Sequence, residues 1–391
     1  MIIMRTLIKN VRIITTEEVL EGYSLMLEDD LIKGLLAPEA PLPEVNRTID
    51  GQNHYLGPGM IDIHNHGNSG YDTMDATPEA LESIGAYHLK NGVTGYLATT
   101  VTNPHESLME AIENALEFKT HQTNDDAIAT LLGIYFEGPY FNVKKKGAQP
   151  EKDIQKPSID TLEAYVNKNP ELFKVVALAP ELDGALALIG YLKEKGIRTA
   201  FAHTDASYEE TIRGIDEGLT VATHMYNGMR GFTHREPGAL GAALTDDRVM
   251  SELIVDGVHL HKAAVDLALK TKGPDRIVLI SDAMRAAGLE DGTYNLGGQD
   301  VTTKNGQARL EDGTIAGSTL DLNQAVKNIV RDNGASIEDA FKMASLNPAK
   351  VIGLDEELGS IEAGKKANLV LLDDELDVKR VFKDGREVFR R

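Results

Sequence analysis

Five apolar, strand-like runs in this chain each end in a residue able to ligate a divalent metal. The runs are GMIDIHNHG, LLGIYFEGP, TAFAHTD, TVATHMYN and IVLISDAM. They carry His64 and His66, Glu137, His203, His224 and Asp282 at or near their C-terminal ends. Imidazole and carboxylate are the ligand types of Zn²⁺ and other first-row divalent ions. Apolar strands that repeatedly end in such residues constrain the fold. They predict one metal site at one rim of a parallel barrel, the place where the strands of a (β/α)8 TIM-like fold present their chemistry.

The surrounding pattern agrees. From about residue 58 to 353 the chain alternates strand-like and helix-like segments. The predicted strands are MIDIH, GYLATT, LLGIYFE, VVALAP, TAFAH, TVATH, SELIVDG and IVLISD. Helical patterns follow several of them, among them PEALESIGAYHLKNG, HESLMEAIENALEFK, SYEETIRGIDEG and DLNQAVKNIVRDN. The two chain ends differ. Residues 1–57 and 354–391 read as short strands with turns, each piece too small to bury a core alone. They predict a small β-sandwich domain built from both ends. Residues 286–316, rich in glycine and polar β-like pieces, interrupt the alternation and predict a hairpin flap beside the site.

Composition narrows the partners. The formal net charge of −21 repels nucleic acid and anionic membranes. There is no cysteine, so neither a disulfide framework nor a zinc–thiolate site is available. No run approaches the roughly 18 uninterrupted apolar residues of a membrane span, and the first residues lack the apolar stretch of a signal peptide. The expectation is a cytoplasmic protein.

Each candidate has a plainer reading when taken alone. His64 and His66 could be a buried hydrogen-bonded pair, and a second H-x-H at His259 and His261 shows how easily that pattern arises. Glu137 could pair with Lys144, Lys145 or Lys146. Asp282 could be a ligand, a general base or a helix cap. Equivalent positions on successive strands favour a metal site, with Asp282 placed to move a proton.

The segments PGMIDIHNHG, EGPYFNVKKKGAQP, THMYNGMRGFTHREPG, DGVH, SDAM and IAGS, with the tail NPAKVIGLDEELGSIEAGKKANLVLLD, resemble the amidohydrolase superfamily. The resemblance is closest to its N-acetylglucosamine-6-phosphate deacetylase family and covers nearly the whole chain. It implies metal-dependent deacetylation of a phosphorylated N-acetyl amino sugar, releasing acetate and the free amine. It makes Glu137, His203 and His224 ligands of a divalent metal and Asp282 the acid/base residue. Ala148, Gln149, Asn227, Gly228, Arg235, His259, Ile315, Ala316 and Gly317 fall at substrate-contact positions. Some members lack the first histidine of H-x-H and hold one metal. Both His64 and His66 are kept here, so one or two ions per chain are expected, a pair being bridged by Glu137. Zinc is the expected metal, with iron, manganese and cobalt also compatible. Many members have histidine where this chain has Gln149, whose amide can hydrogen-bond a sugar hydroxyl. The family is homo-oligomeric, so a homodimer or homotetramer is expected.

Overall fold

The computed structural model describes residues 3–123 and 127–391. Its central sheet has eight parallel strands: β1 (Met60–Asp62), β2 (Val93–Thr99), β3 (Thr130–Glu137), β4 (Phe173–Leu178), β5 (Arg198–Phe201), β6 (Leu219–Ala222), β7 (Met250–Leu253) and β8 (Ile277–Leu279). Sequence neighbours pair in order from β1 to β8. Val93–Thr99 is buried at every residue, and Thr130–Glu137 at every residue after its first. Strands covered on both faces read as continuous apolar runs rather than alternations. This is the (β/α)8 barrel, and its helices pack outside the strands into one large core.

The first and last strands meet through a buried carboxylate. Asp62 accepts hydrogen bonds from Ser281 Oγ at 2.6 Å, and from Ser281 N and His64 N at 3.3 Å. Just beyond, Asp282 N donates to the His64 carbonyl and His66 N to the Ala283 carbonyl, both at 2.9 Å. This seam joins two segments of the site directly. Burial pushes the Asp62 carboxyl up to about 6, against the hydrogen bonds from Ser281.

The chain ends share one eight-stranded sheet. Arg5–Ile14 pairs in parallel with Arg47–Pro58, and Leu369–Leu372 joins the other edge of Arg47–Pro58. Period-two alternation separates the sheet's faces. Leu369 and Leu371 join Ile8, Leu25 and Phe382 in the module's own core, whereas Val370 and Leu372 pack into the barrel core. One strand thus serves both cores.

Residues 286–316 differ from the hairpin that the sequence predicts. They contain a three-stranded antiparallel sheet: Gly292–Leu296, Gln299–Lys304 and Gln307–Arg309. The reason is a second tight turn. Gly297-Gly298 and Asn305-Gly306 all have positive φ (59°, 78°, 52° and 73°), the requirement of a two-residue primed turn. Met284, Ala286, Leu296, Val301, Ala308 and Ala316 form a small core beneath this sheet.

One core residue carries a pH signature. His88, on the helix Pro78–Lys90, is buried against Tyr96, and its Nε2 has no hydrogen-bond partner. Burial drives its pKa down to about 3. The folded value lies below the unfolded one of about 6.5, so stability is complete above about pH 6.5 and is lost as pH falls. We expect His88→Leu to lose about 3 kcal/mol less stability than the parent between about pH 6.5 and pH 4. Urea unfolding across that range measures it; parallel pH curves for the two proteins would show that the folded state does not hold His88 neutral.

Candidate metal centre

The C-terminal rim of the barrel converges on Glu137, the last residue of β3. Its Oε1 lies 3.3 Å from His203 Nε2, 3.2 Å from His224 Nε2 and 3.7 Å from His64 Nε2. Its Oε2 lies 3.2 Å from His66 Nε2 and accepts a hydrogen bond from Gln149 Nε2 at 3.0 Å. On the other side, Asp282 Oδ1 lies 3.3 Å from His66 Nε2 and 3.6 Å from His64 Nε2. Two compact donor sets result: His64, His66 and Asp282, and Glu137, His203 and His224. In each, the ligating atoms lie within 4.8 Å of one another. All six residues are buried.

The backbone bends to aim these side chains. His64, His66, His203, His224 and Asp282 lie just past their strands. His203, His224 and Asp282 have positive φ, at 43°, 30° and 47°. Such conformations cost roughly 1–3 kcal/mol each and cluster at functional sites. The close approach also requires glycine at 228, where a Cβ would lie 2.9 Å from His203 Nδ1.

Hydrogen bonds fix three imidazoles. His203 Nδ1–H donates to the Lys145 carbonyl at 2.9 Å and His224 Nδ1–H to the Asn227 carbonyl at 3.2 Å. His64 Nδ1–H donates to Glu252 Oε2 at 3.0 Å. A neutral ring whose Nδ1 donates carries its lone pair on Nε2, the arrangement of ligating histidines. His64 Nε2 is buried with no hydrogen-bond partner. Donor type, tautomer and this orphaned nitrogen all fit a divalent ion.

The electrostatics show what an ion would displace. Burial raises the Glu137 carboxyl, but the charge on His64 and hydrogen bonds with His203 and His224 outweigh it and hold it far below the usual range. Burial lowers His66, yet Asp282 and Glu137 raise it to about 9. His64 and His224 are also raised against the effect of burial, by their neighbouring carboxylates. Burial raises Asp282, but His66, His64 and His224 bring it to about 2. Metal binding at this centre must therefore compete with protons on His64, His66 and His224 and release them.

A chamber of about 240 Å³ opens over this centre, a little below the roughly 300–1,000 Å³ range of small-molecule sites and of a size for one small, polar substrate. Ala148, Gln149, Asn227, Gly228, His259, Ile315 and Gly317 line it, with Leu296 and Thr314 beside them. Two sequence candidates are not brought there. Ala316 turns into the small core beneath the three-stranded sheet. Arg235 is exposed on the 231–236 loop and does not line the chamber. Nor do Arg230 and Lys144: both pair with Asp205, at 3.2 and 3.5 Å. Gln149 is also more committed than expected, since its Oε1 accepts from Thr102 N at 2.8 Å while its amide nitrogen holds Glu137.

Sequence reasoning missed two carboxylates. Glu252 on β7 backs His64, and Asp256 Oδ2 accepts from His259 Nδ1 at 2.7 Å, fixing that ring at the chamber wall. Asp256 lies within the quoted DGVH. Glu252 had one signal, a charged residue inside the buried MSEL strand.

Fold and site together define a barrel hydrolase with a His/carboxylate metal centre. Residues 55–388 match the Amidohydrolase family, and the chain belongs to it. It is 38% identical to an N-acetylglucosamine-6-phosphate deacetylase of Bacillus subtilis (strain 168), over 95% of this chain and 94% of that protein. It is 39% identical to an N-acetylgalactosamine-6-phosphate deacetylase of Escherichia coli O157:H7, over 96% and 97%. The crystal structure of N-acetylglucosamine-6-phosphate deacetylase from Pasteurella multocida superposes with a TM-score of 0.93 at 32% identity, covering 99% of this chain and all of that one.

An ion that binds the folded centre and not the unfolded chain stabilises the fold by mass action, about 2.7 kcal/mol at 100 times its dissociation constant. Dialysis against a chelator is therefore expected to lower Tm, and Zn²⁺ or Fe²⁺ to restore it. A Tm indifferent to both would show that the two donor sets hold no ion.

Proposed function

We propose that this chain hydrolyses the N-acetyl amide of N-acetylglucosamine-6-phosphate, giving glucosamine-6-phosphate and acetate. The observation that carries the reading is Asp282 Oδ1 standing at the edge of the chamber, between the two histidines of H-x-H and opposite Glu137. The similarity to deacetylases of phosphorylated amino sugars supports the substrate class. Glu137, His203 and His224 would hold one divalent ion, and His64, His66 and Asp282, with Glu137 beside them, would hold a second. Zinc is the expected metal. When bound, such an ion supplies Lewis acidity to the attacking water and to the amide carbonyl.

The chain's own residues do the rest. Asp282 is ionised, so it accepts the proton of the attacking water and delivers it to the amine nitrogen, which would otherwise leave poorly. His259, its Nδ1–H locked by Asp256, is a donor for the developing oxyanion when it is the imidazolium, with a proton on Nε2 as well. Gln149, with the backbone at Ala148 and Gly317, contacts the sugar. Asn227 and the Gly228 N–H hold the phosphate. Arg235 could add a cation to the phosphate only if the exposed 231–236 loop that carries it turned in towards the chamber. Val101 and Leu296 limit water at the reacting bond. The enzyme acts as a cytoplasmic homodimer or homotetramer; no helix among the described residues is long and apolar enough to cross a membrane.

Acetate release from N-acetylglucosamine-6-phosphate, with the galactosamine epimer alongside, tests this. The metal-loaded protein should favour the gluco substrate. Asp282→Asn should lower kcat by about 10²–10⁴-fold, the range of a lost general acid–base group, with the fold retained. Metal-loaded protein that frees no acetate from either epimer would sink the reading.

A further inference from the structure

Glu252 is a fully buried carboxylate that no step above uses. It lies on β7, behind the donor atoms. Its Oε2 accepts from His64 Nδ1 at 3.0 Å and from His224 N at 3.1 Å, while its Oε1 is buried with no partner. The three imidazoles with anchored Nδ1 atoms differ in what anchors them. His203 and His224 rest on neutral backbone carbonyls; His64 alone rests on a carboxylate. An anionic acceptor makes a shorter, stronger hydrogen bond than a neutral one and raises the basicity of the far nitrogen. That far nitrogen is His64 Nε2, the buried atom without a partner.

The placement of charge is asymmetric as well. Glu137 faces both donor sets, whereas Glu252 contacts an imidazole of only one, the set of His64, His66 and Asp282. A buried anion beside one of two adjacent cation positions favours filling that position, because unpaired buried charge is costly.

We propose that Glu252 is the positioning residue that decides whether the second divalent ion binds, by fixing His64 as an Nε2 ligand and adding negative charge behind it. This rests on the two-ion reading of the centre, and the test separates the two. Metal content per chain after exhaustive dialysis, and the dissociation constant of each ion by chelator competition, are measured with Zn²⁺ for the parent and for Glu252→Gln. Acetate release is followed in parallel. Glutamine keeps the shape and an acceptor oxygen but removes the charge. The parent should hold two ions. Glu252→Gln should keep the ion on Glu137, His203 and His224 and bind the other about 10–100-fold more weakly, as for other outer partners of ligating histidines.

The double variant Glu252→Gln/His64→Gln should bind no more weakly than His64→Gln alone, because both changes act through one ring. If glutamine prevents folding, Glu252→Asp, whose shorter carboxylate withdraws from Nδ1, is read in the same way. Equal affinity for the second ion in parent and variant would overturn the proposal. So would equal loss of both ions by a folded variant, which would reduce Glu252 to a clamp on the His224 backbone. A parent that holds two ions lost selectively in the variant, yet frees no acetate, would leave the proposal standing and remove only the assigned reaction. A parent that binds a single ion would overturn it.

Discussion

One buried carboxylate organises the rim of this barrel. Glu137 sits at the end of β3, with Nε2 atoms of His64, His66, His203 and His224 and the amide of Gln149 all within 3.7 Å of its oxygens. A lone carboxylate in such a place would be prohibitively costly. Here its neighbours hold it ionised. The arrangement requires β1, β3, β5 and β6 to deliver side chains to one point, and the parallel barrel is what makes that delivery possible. The Asp62 seam then ties the H-x-H segment to the segment of Asp282, so the last strand closes both the fold and the site.

Strain and hydrogen bonding work together around that point. His203, His224 and Asp282 take left-handed backbone conformations that a non-glycine residue adopts only when its surroundings enforce them. Their surroundings do: His203 is tied to the 145 carbonyl, His224 to the 227 carbonyl and, through its own N–H, to Glu252. The same bonds fix which ring nitrogen faces the centre. The conformation that strains the backbone is therefore also the one that presents lone pairs to an ion.

The barrel was legible because buried parallel strands write themselves as unbroken apolar runs, as in GYLATT and LLGIYFE. The six donors were legible because they stand where those runs stop. Legibility failed wherever a side chain's meaning depends on a distant partner. Glu252 reads as an odd charge in a strand until folding brings His64, 188 positions away, against it. Asp62 reads as part of a metal motif but serves the seam. Arg235 sits in a family-like segment, yet its loop stands in solvent. The flap's extra strand was written in two glycine-containing dipeptides, and only the positive φ angles show that both make tight turns. Local pattern gives the face and the end of an element, but not what folding places opposite it.

The central claim is that Glu137 is shared between two ion positions. Anomalous diffraction from crystals of the metal-loaded protein, collected at the absorption edge of the bound metal, tests it directly. The account predicts two peaks, one on each side of the Glu137 carboxylate: the first against His203 and His224, the second against His64, His66 and Asp282. A single peak on the His203 side, or ions bound away from Glu137, would contradict it.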